Sequence, residues 1–187
     1  MEAGKALQPS SAQSSEPAKP PSIGARVWDA LALLVVAFAI WKIFVAPRSF
    51  IAAHRVPAPA AVFERLDGKS FRLADQRGHT VFLDFFASWC APCKVELPLV
   101  QSWAAHNPHA AVVAVDVGEK RSVVEEYARR MHLRFVALDP ESSARALFSV
   151  VGLPTVVVID GHGDVRARWE GLNPAIGLAM TNAESKL

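Results

Sequence analysis

The only two cysteines of the chain stand two residues apart, in the segment Trp89-Cys90-Ala91-Pro92-Cys93. The segment follows an apolar run of strand type and opens a helical pattern, so we expect both sulfurs in the first turn of a helix. There, the unpaired N–H groups and partial positive charge of the helix N-terminus stabilise a thiolate on Cys90. Pro92 suits this turn, because its missing N–H removes no helical hydrogen bond. A thiolate is the nucleophile of disulfide exchange, so the pair can cycle between a dithiol and a disulfide.

A metal site and an inert bridge are the alternatives to this redox interpretation. A structural zinc site needs four ligands, and a copper-handling protein with two cysteine ligands needs a third, commonly His or Met. No histidine lies within ten residues of either cysteine; the six are His54, His79, His106, His109, His132 and His162. We therefore expect no metal, and the copper-handling protein remains a rival interpretation.

Composition excludes several classes of protein. The chain has 187 residues, of which 51% are hydrophobic and 20% charged, so wholesale disorder is excluded and one packed domain plus an appendage is predicted. The net charge of +2 is too small to indicate a nucleic-acid-binding protein. Two cysteines are too few for a scaffold built from disulfides.

The N-terminal third divides into three predicted segments. Residues 1–25 are rich in Ser, Pro, Ala and Gly and lack apolar periodicity, so they are predicted to be disordered. Residues 26–46 are predicted to form a single transmembrane anchor, because residues 27–46 would span ~30 Å as a helix. A cleavable signal peptide and a buried core helix are the alternatives. Residues 47–61 contain three prolines and are predicted to be a semi-extended linker. Basic residues flank the anchor on both sides, so charge does not define its orientation.

From residue 62 to residue 187 the pattern becomes that of a globular domain. Apolar runs of strand type alternate with amphipathic segments, which predicts an α/β fold with a central mixed β-sheet flanked by helices. The predicted strands are Val62–Arg65, Ser70–Leu73, Val81–Phe86, Ala110–Val117, Phe135–Leu138, Thr155–Asp160 and Val165–Trp169. The predicted helices are Cys93–Asn107, Arg121–His132, Ser143–Val150 and a last helix that opens at Pro174.

The motifs resemble those of the thioredoxin superfamily. The segment from Phe85 to Cys93 is similar to the superfamily's active-site segment, and Glu96-Leu97-Pro98 completes the C-x-P-C-x-x-E-x-P pattern of its membrane-tethered TlpA/ResA-like branch. Gly152-Leu153-Pro154-Thr155 resembles the cis-proline loop of that family. The resemblance covers roughly residues 60–175. It implies a thioredoxin-like fold and a thiol–disulfide oxidoreductase that needs no cofactor.

The resemblance also implies roles for the residues of the motifs. Cys90 is expected to be the exposed, nucleophilic cysteine and Cys93 the buried, resolving one. A cis bond before Pro154 would face the disulfide and leave the backbone of Leu153 free to pair with a substrate strand. Trp89 is expected to pack over the site and contribute to substrate binding.

Two acids and Pro92 are expected to tune the cysteines. Asp84 matches the buried acid of thioredoxins, where the TlpA-like branch more often has an amide. Its pKa should be raised by burial, and it could relay the proton of Cys93 or serve only as a strand residue. Glu96 is expected either to tune the cysteines electrostatically or to be a solvated helix residue.

The resulting hypothesis is a membrane-anchored reductase of disulfides in protein substrates. The resemblance implies a bacterial inner-membrane protein with its thioredoxin domain on the periplasmic side, where apocytochromes or metal-centre proteins are candidate substrates. A tether is favourable if the electron donor is itself a membrane protein. An oxidase of substrate thiols, with the same fold and the opposite direction, is the alternative of the same class.

Overall fold

The computed structural model describes residues 23–40 and 48–187, and the chain divides after Ile40 into two units. Helix α1 spans Ile23–Ile40, so the disorder predicted for 1–25 is wrong for its last three residues, and 1–22 lie outside the described residues. The side chains of residues 27–40 are all exposed. Among the described residues, no helix combines the length and apolar character needed to cross a membrane. The predicted anchor, 26–46, ends in residues 41–46, which lie outside the described part of the chain.

The segment predicted to be a linker contains a strand of the sheet. Strand β1, Arg48–Pro57, pairs antiparallel with a later strand, with Arg48 opposite Glu170 and Pro57 opposite Asp164. The linker prediction for 47–61 is therefore wrong over most of its length. The prolines do not oppose this strand, because β1 lies at the edge of the sheet and Pro57 is its last residue.

The remaining elements follow the predicted alternation of strands and helices. The strands are β2 Val62–Arg65, β3 Ser70–Arg72, β4 Val81–Phe86, β5 Ala111–Val117, β6 Val136–Asp139, β7 Thr155–Ile159 and β8 Asp164–Glu170. The helices are α2 Cys93–His106, α3 Arg121–Arg130, α4 Ser143–Leu147 and α5 Ile176–Glu184, with a short 3-10 helix at Leu73–Gln76. Each element lies within a few residues of its predicted bounds.

The strands form one eight-stranded mixed sheet in the order β1-β8-β7-β4-β5-β6-β2-β3. The β4–β5 and β5–β6 pairs are parallel, whereas β7 runs antiparallel to β4 and to β8. This confirms the predicted mixed sheet, in which parallel pairs are closed by an antiparallel hairpin. Strand β4 lies near its centre, between β5 and β7, and all six of its residues are buried.

Successive residues of β4 and β7 enter two different apolar clusters, as expected from the alternation of side chains between the faces of a sheet. Leu83 and Phe85 belong to the larger cluster, which includes residues of α3 and both cysteines. Phe82 belongs to the second cluster, to which α2 contributes Trp103 and α5 contributes Met180. Strand β4 and helix α2 each contribute residues to both clusters. The connection between them, which carries Cys90, is therefore anchored at both ends in the core.

The pairing of β1 with β8 gives a test of where the folded unit begins. A chain that starts at residue 58 lacks β1, whereas one that starts at residue 48 retains it. Each lost hydrogen bond contributes roughly 1 kcal/mol net, so we expect the shorter chain to melt at a temperature on the order of 5 °C lower or more. Circular dichroism melts of the two purified chains measure this difference. Equal melting temperatures would mean that β1 adds nothing to the stability of the sheet.

Candidate active site

The two cysteines form a disulfide at the junction between β4 and α2. The Sγ–Sγ distance is 1.96 Å and the Cα–Cα distance is 5.3 Å. The backbone N–H of Cys93, the first residue of α2, donates a hydrogen bond of 3.2 Å to the Sγ of Cys90. The positive end of the helix is thus directed at the sulfur of Cys90. When the disulfide is reduced, this arrangement favours a thiolate on Cys90.

Both cysteines are buried in the disulfide form. Cys90 is 4% exposed and Cys93 is 1% exposed, so the expectation of an exposed Cys90 is wrong for this redox state. The bond ties Cys90 to Cys93, and both belong to the larger apolar cluster. Trp89 is 67% exposed, so its indole faces solvent to a greater extent than a side chain packed over the site would.

The loop before β7 lies at the same end of the sheet as the disulfide. The Leu153–Pro154 peptide bond is cis, as expected. Thr155 pairs with Phe85, one residue before the end of β4, which sets Pro154 beside the start of the connection to Cys90. The carbonyl of Pro154 accepts a hydrogen bond of 2.9 Å from the N–H of Gly171, which holds the loop to β8. The roles of Leu153 and Pro154 in substrate binding stay predictions.

Asp84 is a buried acid with no hydrogen-bond partner among the described residues. It lies in β4, two residues from Phe82 on the same face of the sheet, the face covered by α2 and α5. The side chain is 1% exposed, and within residues 23–40 and 48–187 neither carboxyl oxygen has a hydrogen-bond partner. Burial raises the pKa of Asp84 well above its ordinary value, and the charge of Glu96 raises it further. The raised pKa favours the protonated form of Asp84, and its role as a proton relay stays a prediction.

Glu96 is buried as well, so the interpretation as a solvated helix residue is wrong. It lies in the first turn of α2 and is 1% exposed. Its Oε2 accepts a hydrogen bond of 2.5 Å from the backbone N–H of Asn173, in the loop before α5. Burial raises the pKa of Glu96 to about 7, although the Asn173 hydrogen bond lowers it in part. Near neutral pH, Glu96 is thus close to half-ionised and can take up or release a proton.

A second polar cluster contacts the segment before Cys90 and was not predicted from the sequence. The carboxylate of Glu119 accepts hydrogen bonds from Ser88, and the N–H of Glu119 donates to the buried Asp116 at the end of β5. A signal was available, because Asp116 interrupts the apolar run of β5 as Asp84 interrupts that of β4. The contact between Glu119 and Ser88, 31 residues apart, had no signal in the sequence.

No metal site accompanies these residues in the described part of the chain. Within residues 23–40 and 48–187, no group of three or more His, Cys, Asp or Glu side chains could hold a metal ion. In that part of the chain, the copper-handling alternative therefore has no third ligand of the types His, Asp or Glu. Disulfide exchange is the chemistry that the site can perform without additional groups.

Comparisons with known proteins agree with this chemistry. The model of the AhpC/TSA family matches residues 55–168. The chain is 32% identical over 139 residues to the thiol-disulfide oxidoreductase ResA of Geobacillus thermodenitrificans, covering 73% of this chain and 79% of that protein. It is 35% identical over 111 residues to ResA of Bacillus subtilis, covering 58% of this chain and 62% of that protein.

A solved structure also matches the fold. The crystal structure of a putative thiol:disulfide interchange protein DsbE from Chlorobium tepidum superimposes with a TM-score of 0.64 at 31% sequence identity. The match covers 68% of this chain and 92% of that chain. The thioredoxin-like α/β fold expected from the motifs is thereby confirmed for the globular part of the chain.

The burial of Asp84 gives a test with a defined pH dependence. Its folded pKa lies above its unfolded value, so the folded state binds more protons and the wild type loses stability as pH rises above about 4. Asp84→Asn removes this loss, and we expect the variant to melt several degrees above the wild type at pH 8. The difference should shrink towards pH 4, where both side chains are neutral.

The matched control is Asp75→Asn, which makes the same change at an exposed position. Its melting temperature should follow that of the wild type across the pH range in thermal melts of the oxidised protein. An Asp84→Asn variant that gains no stability at pH 8 would show that the pKa of Asp84 is not raised in the folded protein.

Proposed function

The chain belongs to the AhpC/TSA family of thioredoxin-fold proteins and is a thiol–disulfide oxidoreductase, and from this we propose that it reduces disulfides of protein substrates. The observation that carries the proposal is the hydrogen bond of 3.2 Å from the Cys93 N–H to the Cys90 Sγ. Stabilisation of the Cys90 thiolate makes it the attacking group when the pair is reduced.

The reaction then proceeds through a mixed disulfide. The Cys90 thiolate attacks one sulfur of a substrate disulfide, a bond forms between Cys90 and that sulfur, and the other substrate sulfur leaves as a thiolate. Cys93 next loses its proton and attacks the Sγ of Cys90, which releases the second substrate sulfur. The substrate gains two electrons, and the enzyme is left with the Cys90–Cys93 disulfide.

A buried acid is proposed to supply the proton acceptor for the second step. Cys93 is buried and must become a thiolate before it attacks, so its proton needs a nearby base. Glu96, with a pKa of about 7, is ionised in part of the molecules at neutral pH and can fill this role. Burial favours the protonated form of Asp84, which limits the negative charge that would oppose the developing thiolate.

Substrate recognition is proposed to use the surface around the disulfide. Trp89 offers an exposed apolar face beside Cys90. The loop at Leu153 and Pro154 ends where β7 begins and offers backbone to a substrate segment in extended conformation. Pro92, which precedes α2, fixes the backbone between the cysteines and so tunes the pair.

We propose that the protein is attached to a bacterial inner membrane through residues 26–46, with the redox domain on the outer face. The support is the exposed apolar surface of α1 and the oxidising character of that compartment, in which a reductase has substrates such as apocytochromes. Attachment would hold the domain near a membrane protein that returns electrons to the Cys90–Cys93 pair.

The direction of the reaction is tested by the reduction potential of the Cys90–Cys93 couple. A reductase should equilibrate close to thioredoxin, at about −270 mV, because its dithiol must give up electrons readily. Equilibration of the protein with glutathione or dithiothreitol buffers, followed by alkylation and mass measurement, gives the value. A potential near −120 mV, which is typical of a strong oxidant, would support the oxidase alternative.

The roles of the two cysteines are checked by the same chemistry. Cys93→Ser retains the nucleophile and should accumulate a mixed disulfide with insulin, whereas Cys90→Ser should form none. Accumulation in the Cys90→Ser variant would reverse the assigned roles.

Membrane attachment is tested by fractionation of cells that express the full chain. We expect the chain in the membrane fraction after an alkaline wash, and a chain that begins at residue 48 in the soluble fraction. A membrane-impermeant thiol reagent should label the reduced cysteines in intact spheroplasts if the domain is on the outer face. Recovery of the full chain in the soluble fraction would contradict the anchor.

A further inference from the structure

The active-site turn is held by a carboxylate that belongs neither to the dithiol nor to the pair of buried acids Asp84 and Glu96. We propose that Glu119 is a positioning residue of the exchange reaction, and that it orients the turn carrying Trp89 and Cys90 through the two hydrogen-bonding groups of Ser88. This inference rests on the thiol–disulfide exchange activity and is independent of the direction proposed for it.

Both oxygens of the Glu119 carboxylate are used for this contact. The Ser88 N–H donates to Oε2 and the Ser88 hydroxyl donates to Oε1, each over 2.6 Å. Such short distances are typical of hydrogen bonds to an ionised acceptor, which are about twice as strong as neutral ones. Two hydrogen bonds from Ser88 to one carboxylate fix the orientation of the Ser88 backbone as well as its distance from Glu119.

The backbone that Glu119 holds leads directly to the nucleophile. The N–H of Cys90 donates to the carbonyl of Ala87 over 3.1 Å and closes a turn in which Ser88 and Trp89 are the central residues. The N–H of Ser88 is not consumed by that turn and is satisfied by Glu119. Rotation of the turn would move the sulfur of Cys90 and the indole of Trp89 together.

The loop after β5 is built to present Glu119 to Ser88. Gly118 has a φ of +79°, which favours glycine, and a Cβ at this position would lie 2.9 Å from the Ser142 hydroxyl. Its N–H donates to the Asp139 carbonyl over 3.0 Å. The N–H of Glu119 then donates to Oδ2 of Asp116 over 3.0 Å. The hydrogen bonds donated by the backbone N–H groups of Gly118 and Glu119 therefore hold the loop that positions the Glu119 side chain.

Asp116 links this contact to pH. It is fully buried, and burial followed by the neighbouring Glu119 carboxylate raises the pKa of Asp116 to about 8, although the hydrogen bond from the Glu119 backbone N–H lowers it in part. Burial alone would raise the pKa of Glu119, but hydrogen bonds from Asp116 and Ser88 outweigh it and lower that pKa. Two other titratable groups interact with this pair. The charge of Asp139 raises the pKa of Asp116, and the charge of Glu119 raises the pKa of Tyr127.

Two protonation states of the cluster follow from these pKa values. At neutral pH, burial favours a neutral Asp116 next to an ionised Glu119, whose carboxylate accepts both hydrogen bonds from Ser88. Above about pH 8, Asp116 loses its proton and two carboxylates repel each other next to Ser88. The hold on the turn should then weaken.

The test compares the wild type and four variants, each as the reduced full chain, in stopped-flow reactions with dithionitrobenzoate. Ser88→Ala and Glu119→Gln should each slow the reaction by about 10-fold, below the ~10²-fold that a full ångström of misplacement can cost. Ser88→Thr retains both donors and should react at close to the wild-type rate. Glu125→Gln makes the same chemical change at an exposed position of α3 and is the matched control.

A second readout separates positioning from a general loss of structure. Thiolate is measured by its ultraviolet absorbance, and the rate is expressed per thiolate. For the wild type this rate should fall as pH rises through about 8, whereas Asp116→Asn, which cannot ionise, should show no such fall. A residue that only stabilised the fold would not produce this pH dependence.

Several outcomes would overturn the inference. Folded Glu119→Gln with the wild-type rate across pH would do so, and so would equal rates for Ser88→Thr and Ser88→Ala. If Glu119→Gln does not fold, the two Ser88 variants still decide. A wild-type chain without any exchange would contradict the oxidoreductase activity itself, whereas normal exchange in all variants would contradict only the role of Glu119.

Discussion

The site depends on one constraint: a central strand must end where a helix begins, with two sulfurs held between them. Strand β4 is buried along its whole length and ends at Phe86, and α2 begins at Cys93. The short connection leaves the first N–H of α2, that of Cys93, facing the Cys90 sulfur. Charge on that sulfur is therefore stabilised by the backbone. Because β4 pairs with β5 and β7, the end of the sheet also brings Pro154 and Asp116 to the same place.

The acids around the disulfide show how the fold supports proton chemistry. Asp84, Glu96 and Asp116 are all buried, and burial raises the pKa of each. Each acid lowers the stability of the folded protein as pH rises from about 4 towards its folded pKa, since the unfolded chain ionises more readily. A fold selected only for stability would place apolar residues at these positions. Their presence beside one disulfide is consistent with a function that moves protons there.

Much of this arrangement was predictable, because it depends on local patterns. The cysteine pair, the cis-proline loop and the strands of the central sheet have signals within a few residues. Strand β1 was missed because its three nearby prolines resemble a linker, and only the pairing with β8 shows it to be an edge strand. The burial of Glu96 and the contact of Glu119 with Ser88 depend on segments 77 and 31 residues away, which no local pattern encodes.

The hydrogen-bond donor to Glu96 is a main-chain group, the N–H of Asn173, so the residue type at this position can change during evolution without loss of the bond. Every residue type except proline provides an N–H at position 173. The side chain of Asn173 has a separate contact, its Oδ1 accepting a hydrogen bond of 3.0 Å from the N–H of Ala175. The part of the Glu96 pKa that this hydrogen bond sets therefore depends on the backbone conformation of the loop before α5 and not on a particular side chain. Related chains can exchange the residue at this position and keep the same proton chemistry, and a search for shared side chains would not find the donor.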